Sequence, residues 1–321
     1  MNDAEALDRA ARAAEAWGGL ATPPRLIVNR ENAVFDVTLA SGQRAALRLH
    51  RPGYQSPETI ISELRWTEAL ADAGFPCPWP QRTVDGGFIH TPDDGGPIAS
   101  VVLWVPGEEI GAMGEQFGGT ADEQTGLYRR LGGLLADLHL TSDSTAPTDL
   151  TRHAWDIDAF CSDTPLWGRF WENPSLTPKE SQFLLTARDD ARDRLTKRGT
   201  DGYGLIHADV LQENVLRDGR QLYLIDFDDG GFGYRLYDLG TALIQHEGQP
   251  NFDALKAAMI DGYRAEGGTL TDDDAAEIDL FVMLRGLAST GWVMSRAAPD
   301  DTKQRTYAER GLRTARRWLD R

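Results

Sequence analysis

The chain has 321 residues, 41% hydrophobic and 26% charged, a balance that suits a folded globular protein and excludes a disordered one. Fifty acidic against 33 basic side chains give a formal charge of −17, which argues against a broad footprint for nucleic acid or an anionic membrane. Two cysteines, Cys77 and Cys161, cannot build a disulfide framework or a zinc motif, and the best apolar stretch, Val101 to Pro106, is too short to span a bilayer.

The opening residues carry Asp3 and Glu5 and lack the basic and apolar regions of a signal peptide, so residence in the cytoplasm is expected. Residues 3–17 read as a helix closed by Gly18-Gly19. Short β-like runs follow at 25–28, 33–39 and 45–50, the last two joined by Ser41-Gly42 as an antiparallel hairpin. Pro57 to Ala73 has a helix start, helical spacing of apolar residues and a closing Gly74. Strands are predicted at 87–90 and 98–105. Pro106-Gly107 marks a break, and the chain beyond it turns mainly helical, with helices over 127–140 and 178–197. A polar loop is expected at 141–153, and strands near 204–207 and 222–226. This pattern predicts an α+β fold with two domains. Residues 1–105 form a small antiparallel β-sheet lobe with helices, and 106–321 form a larger, mainly helical lobe.

Chemistry concentrates in Leu205-Ile206-His207-Ala208-Asp209-Val210-Leu211-Gln212-Glu213-Asn214, followed by Leu222-Tyr223-Leu224-Ile225-Asp226-Phe227-Asp228-Asp229. Two short apolar strands each deliver a carboxylate at their C-terminal edge, with a carboxamide between them. Phosphoryl transfer from a nucleotide needs a carboxylate to orient and accept the proton of an incoming hydroxyl. It also needs oxygen ligands for a Mg²⁺ ion that bridges the phosphates. One carboxylate, one carboxamide and a second carboxylate meet those needs. No G-x-x-x-x-G-K-[ST] motif is present, which excludes a P-loop fold. Gly231-Phe232-Gly233 is no metal-binding Asp-Phe-Gly motif either, since the matching acid is Asp226.

The pattern His-x-Asp-x-x-x-x-Asn, then hydrophobic-Asp-aromatic-Asp, resembles the aminoglycoside phosphotransferase/choline kinase-like family, relatives of the protein kinases. Leu135-Ala136-Asp137-Leu138-His139 and Tyr237-Asp238-Leu239 match two further family segments, and the resemblance runs over roughly residues 20–300. It implies a bilobal protein-kinase-like fold whose first lobe binds nucleotide. Asp209 would be the catalytic base, and Asn214 and Asp226 the magnesium ligands. His207 would brace the loop, while Asp238 would cap a helix and tie the loop down. Adenine would meet the backbone of Leu103 to Val105. The phosphate-covering hairpin, Val28 to Phe35, has no glycine, and backbone amides around Asn32 would take that part.

The family's strand lysine falls on Arg48, with Glu63 in the next helix as its partner, and the first lysine in the chain is Lys179. Arginine keeps the charge but is longer and planar. The resemblance therefore implies an ATP- and Mg²⁺-dependent kinase for a hydroxyl of a small, amine-bearing metabolite: an amino alcohol, a hydroxy amino acid such as homoserine, or an aminoglycoside. A stress-response-type Ser/Thr protein kinase and a nucleotide-binding pseudokinase module are the alternatives. Trp155 and Trp171, among acidic residues, suit a cationic substrate through cation–π attraction, and Asp228 could meet it too. The same aromatics equally fit a packed helical face.

Overall fold

The computed structural model describes residues 1–29, 32–115 and 117–320. The chain divides into two compact units. The first comprises Met1–Gly107 with two later segments, Ser144–Arg152 and Tyr223–Asp228; the second comprises Glu108–Asp143, His153–Leu222 and Asp229–Arg321.

The first unit opens with α1 (Asp3–Ala13), whose N-terminus is capped by the Asn2 side chain accepting from Glu5 N–H. A single 3₁₀ turn, Ala14–Trp17, ends at Gly18 with φ of 85°, a left-handed conformation that glycine adopts without strain. Five strands follow: β1 (Arg25–Asn29), β2 (Ala33–Thr38), β3 (Arg44–Leu49), β4 (Ile89–His90) and β5 (Ala99–Leu103), with α2 (Pro57–Asp72) between β3 and β4. They form one sheet in the order β1-β2-β3-β5-β4, and every pairing is antiparallel. The hairpin at 33–49 forms in the register the sequence predicts, with Val34 opposite Arg48 and Asp36 opposite Ala46.

Alternation along these strands decides which side chains reach the site. Phe35, Val37, Ala45, Leu47 and Leu49 share one face and pack against Ala6, Ala10 and Trp17. Val34, Ala46 and Arg48 therefore point to the other face. Opposite Arg48 on β5 lies Ser100, and Val102 lies opposite Ala46. Helix α2 starts at a Ser56 cap with Pro57 in its first turn, and it buries Ile60, Glu63, Leu64 and Thr67 along one stripe. Glu63 is thus a carboxylate placed on the apolar side of an amphipathic helix.

In the second unit, β6 (Glu108–Glu109) precedes α3 (Ala121–Thr145), β7 (Ala154–Trp155), α4 (Ile157–Cys161) and α5 (Pro178–Arg198). Next come β8 (Tyr203–Ile206), β9 (Val215–Asp218) and β10 (Gln221–Leu224), where the chain passes into the first unit, and then β11 (Gly231–Tyr234). Four helices close it: α6 (Arg235–Leu243), α7 (Phe252–Ala265), α8 (Asp272–Trp292) and α9 (Thr302–Leu319). Strand β11 lies between β7 (parallel) and β8 (antiparallel), and β6 pairs with β9. Every residue of α8 from Ile278 to Leu287 is buried. A helix covered all round is the core of its unit.

Helix α3 begins earlier and runs further than the predicted 127–140, taking up part of the expected polar loop. Its Gly132-Gly133 pair lies against α7. A Cβ at Gly132 would collide with the Met259 carbonyl, and one at Gly262 with the Arg129 carbonyl. Only glycine lets two helix backbones approach this closely. No helix among the described residues is long and apolar enough to cross a membrane.

Candidate active site

The predicted residues fall into two clusters, one in each unit. In the first unit, Arg48 Nη2 meets Asp226 Oδ1 at 2.8 Å, and Nη1 lies 3.5 Å from Glu63 Oε1 and 3.7 Å from Asp228 Oδ1. The expected Arg48–Glu63 pair is therefore present, with Asp226 as a third member. Burial works against the guanidinium, but Asp226, Glu63 and Asp228 together hold it charged. Asp226 is 45% exposed and its φ is 65°, a left-handed backbone rare for a residue with a Cβ.

Asp228 lies deeper. Gln55 Nε2 donates to its carboxylate and to its carbonyl, both at 2.8 Å, and Asn32 Nδ2 donates to its other carboxylate oxygen at 3.3 Å. Arg152 adds a bond to the Asp228 carbonyl at 2.6 Å and another to the Phe227 carbonyl at 3.1 Å. These contacts tie the Asp228 carboxylate inside the first unit. They do not present it to a substrate. Asn32 serves here as a brace for Asp228 and an acceptor for Arg51 N–H, while its loop neighbours Arg30 and Glu31 lie outside the described residues.

A small pocket of about 60 Å³ opens on this cluster, walled by Val34, Ala46, Pro78 and Val102 on the apolar side and by Arg48 and Asp226 on the polar side. Of the predicted hinge contacts, Leu103 has its N–H committed to the Trp79 carbonyl at 2.8 Å, because the segment before it runs alongside β5. Val105 follows the strand, outside any regular element.

Burial pushes the Glu63 carboxyl up to about 7, against the pull of Arg48, and burial also raises Asp228. A raised Glu63 binds a proton that the unfolded chain, with its ordinary value of 4.5, has already released. Its burial supports the fold fully below about pH 4.5, and that support is lost as pH rises through about 7. Urea midpoints for Glu63→Gln should therefore gain on wild type between pH 5 and 8. Parallel curves would show that Glu63 is already ionised at pH 5.

The second cluster grows from the end of β8. His207 is fully buried, Ala208 has φ of 64°, and Asp209 follows. This strained corner is held by Asp238, whose carboxylate accepts from His207 N–H at 2.9 Å and Ala208 N–H at 2.6 Å. The His139 ring bonds the same carboxylate at 3.0 Å and the Tyr263 hydroxyl at 2.9 Å. Asp238 ties the loop but caps no helix: α6 is entered through Tyr234, which makes no side-chain cap. His207 Nδ1 accepts from Asp209 N–H at 3.2 Å, the bracing contact expected of it.

Asn214 Nδ2 donates to both the carbonyl and Oδ2 of Asp209 at 2.9 Å, which leaves the Asn214 carbonyl as the oxygen for a hard cation. Arg285 Nη2 donates to Asp209 Oδ1 at 2.6 Å. Sequence reasoning missed Arg285, although its signal is visible: a lone charge within Leu280-Phe281-Val282-Met283-Leu284-Arg285 must find a buried partner. It also missed Arg152 and Gln55, which no local pattern marks.

Of the two readings of Trp155 and Trp171, a face for a cation or a packed face, their surroundings favour the packed one. Trp155 is fully buried, stacks on Tyr237 at 5.2 Å and donates to the Asp229 carbonyl. Arg188 and Arg169 lie over the Trp171 ring at 4.9 and 5.2 Å. Both tryptophans pack the second unit because they sit beside its small sheet and α5, where apolar area is covered by neighbours. Among the described residues no group of three His, Cys, Asp or Glu side chains is arranged to hold a metal ion. In each unit separately, the Asp226 carboxylate and the Asn214 side-chain carbonyl are oxygen donors of the kind a hard cation takes.

Residues 25–275 match the model of the phosphotransferase enzyme family, and the chain belongs to that family. The solved structure of a microcompartment-associated aminopropanol kinase is similar over 99% of this chain and 98% of its own, at 30% identity and a TM-score of 0.82. The amicoumacin kinase of Bacillus subtilis is 22% identical over 240 residues, 73% of this chain and 66% of its own. The homoserine kinase of Methylobacillus glycogenes is 24% identical over 230 residues, 69% and 64% of the two chains. The fold is protein-kinase-like, and the protein is an enzyme of the small-molecule kinase class that acts on hydroxyl groups.

Proposed function

We propose that the protein transfers the γ-phosphate of ATP to a hydroxyl of a small metabolite, with Asp209 as the base. The observation that carries this reading is the state of Asp209. Its carboxylate is 20% exposed, fixed by Asn214 and Arg285, at the end of a loop locked by Asp238. A base held this way accepts a proton from a hydroxyl without first having to be oriented.

In this reading the pocket lined by Val34, Ala46 and Val102 takes the adenine, and Arg48 takes phosphate oxygens, oriented by Glu63. An arginine there binds phosphate through a planar fork where a lysine would act as a point charge. Asp226 in the first unit and Asn214 in the second would each offer an oxygen to Mg²⁺, whose chemistry when bound is to neutralise phosphate charge. Asp209 holds the acceptor hydroxyl and takes its proton. The names of the relatives, aminopropanol kinase and homoserine kinase, support a short hydroxylated, amine-bearing acceptor.

A coupled ADP-release screen tests this directly. The panel holds amino alcohols, hydroxy amino acids, hydroxy acids, sugars and aminoglycosides, each with and without Mg²⁺. Acceptor-dependent ADP release that needs the metal is expected. Binding of ATP with no turnover on any member would overturn the reading.

A further inference from the structure

Beside Asp209 the buried Nε and Nη1 of Arg285 and the Tyr237 hydroxyl make no hydrogen bond of good geometry with the rest of the protein, although the Arg285 and Tyr237 side chains lie close enough to interact with each other. Arg285 is 4% exposed and Tyr237 fully buried. The guanidinium has five N–H donors; Nη2 is engaged on Asp209 and the Tyr237 hydroxyl is a close neighbour, which leaves donors over. The Trp167 ring lies under the guanidinium at 4.7 Å, and the charges it feels are those of Asp209 and Asp229. Folded proteins keep few buried donors unpaired, and each one calls for an explanation.

A second guanidinium belongs to the same neighbourhood. Arg310, on α9, is half-buried over the Tyr307 ring at 5.4 Å. Among the described residues it makes no hydrogen bond and no ion pair. Glu247, the acid nearest in effect, is held by Arg313 at 2.7 Å. Burial pulls the Arg310 pKa down, and the charge of Arg285 adds to that pull. Tyr307 lies in the fields of both arginines and of Asp209. Positive charge and unpaired donors are thus gathered around the base, where an acceptor molecule would have to sit.

We propose that Arg285 and Arg310 bind a carboxylate on the acceptor and so hold its hydroxyl at Asp209. The inference rests on the phosphotransfer reading above and narrows it to hydroxy acids, hydroxy amino acids included. A carboxylate offers two oxygens with several acceptor sites, enough for the remaining Arg285 donors, the Tyr237 O–H and Arg310. An amino alcohol with no acid group would leave those donors unpaired and bring an ammonium toward two guanidiniums.

The test takes the best acceptor from the screen and its matched analogue without the acid group. For homoserine that analogue is 3-aminopropan-1-ol, and 4-hydroxybutanoate is the control without the amine. Wild type should show kcat/KM at least about tenfold higher on the acids, the scale of one charge-assisted contact. Arg310→Gln should raise KM for the acids about tenfold with little change in kcat, and leave KM for the amino alcohol alone. Arg285→Lys, which keeps the charge but loses the fork, should show the same selective loss if it folds. A best acceptor that bears no acid group, or equal effects of Arg310→Gln on both compounds, would overturn the proposal and leave phosphotransfer standing. No turnover on any acceptor would overturn both readings.

Discussion

Asp209→Asn should cut kcat by about 10²- to 10⁴-fold, the range a positioned general base contributes, and leave nucleotide affinity nearly unchanged. Asparagine is the informative substitution because of Arg285. That side chain is 4% exposed, and its Nη2 bonds Asp209 Oδ1. Removing the partner with alanine would strand a buried charge, at a cost of about 3–5 kcal/mol, and mix a folding defect with a catalytic one. The asparagine carbonyl still accepts from Arg285 but cannot take a proton. Steady-state ADP release would measure kcat, and titration with a non-hydrolysable ATP analogue would measure binding. A variant that turns over at close to the wild-type rate would remove Asp209 from the role of base.

Asp238→Ala should have the largest effect on stability. The carboxylate is fully buried and accepts from two consecutive amides and from His139, itself buried. Its loss leaves these donors without a partner, for a cost of about 3–5 kcal/mol by analogy with breaking a buried ion pair. A second consequence is local. Ala208 sits at φ of 64°, a conformation that costs about 1–3 kcal/mol and persists only where the surroundings impose it. Without the bond from its N–H the residue relaxes, and Asp209 moves with it. The denaturant midpoint should fall sharply, and the molecules that remain folded should turn over slowly. Asp238→Asn, which keeps one acceptor oxygen, should recover more of the stability than of the turnover. An alanine variant that unfolds at the wild-type midpoint would contradict the bracing role.

Much of the first unit is legible in the sequence because its rules are local. Period-two alternation in 33–49 puts Arg48 on the face opposite Leu47 and Leu49, and helical spacing in 57–72 puts Glu63 on the buried stripe. Those two facts bring the pair together. The loop after β8 was legible for the same reason: its acids and amide are close in sequence. What could not be read depends on partners far along the chain. Arg152 lies in a stretch that looks like plain polar loop, yet it bonds the Phe227 and Asp228 carbonyls some 75 residues away. Strands of two residues, such as 108–109 and 154–155, carry no alternation to detect. Trp155 and Trp171 show the opposite difficulty. Composition put aromatic rings among acids, but burial and the arginines over Trp171 decide that the rings pack.

The arginine at position 48 also settles how this enzyme answers to chemical probes. Its four lysines, Lys179, Lys197, Lys256 and Lys303, all lie in the second unit, so the pocket beside Arg48, the one proposed for the nucleotide, has no lysine amine in its lining. A guanidinium stays protonated throughout the physiological range and is a poor nucleophile. Acylating nucleotide reagents that tag kinases through the strand lysine would pass this protein by, and its absence from such a labelling profile would say nothing about whether it was present and active.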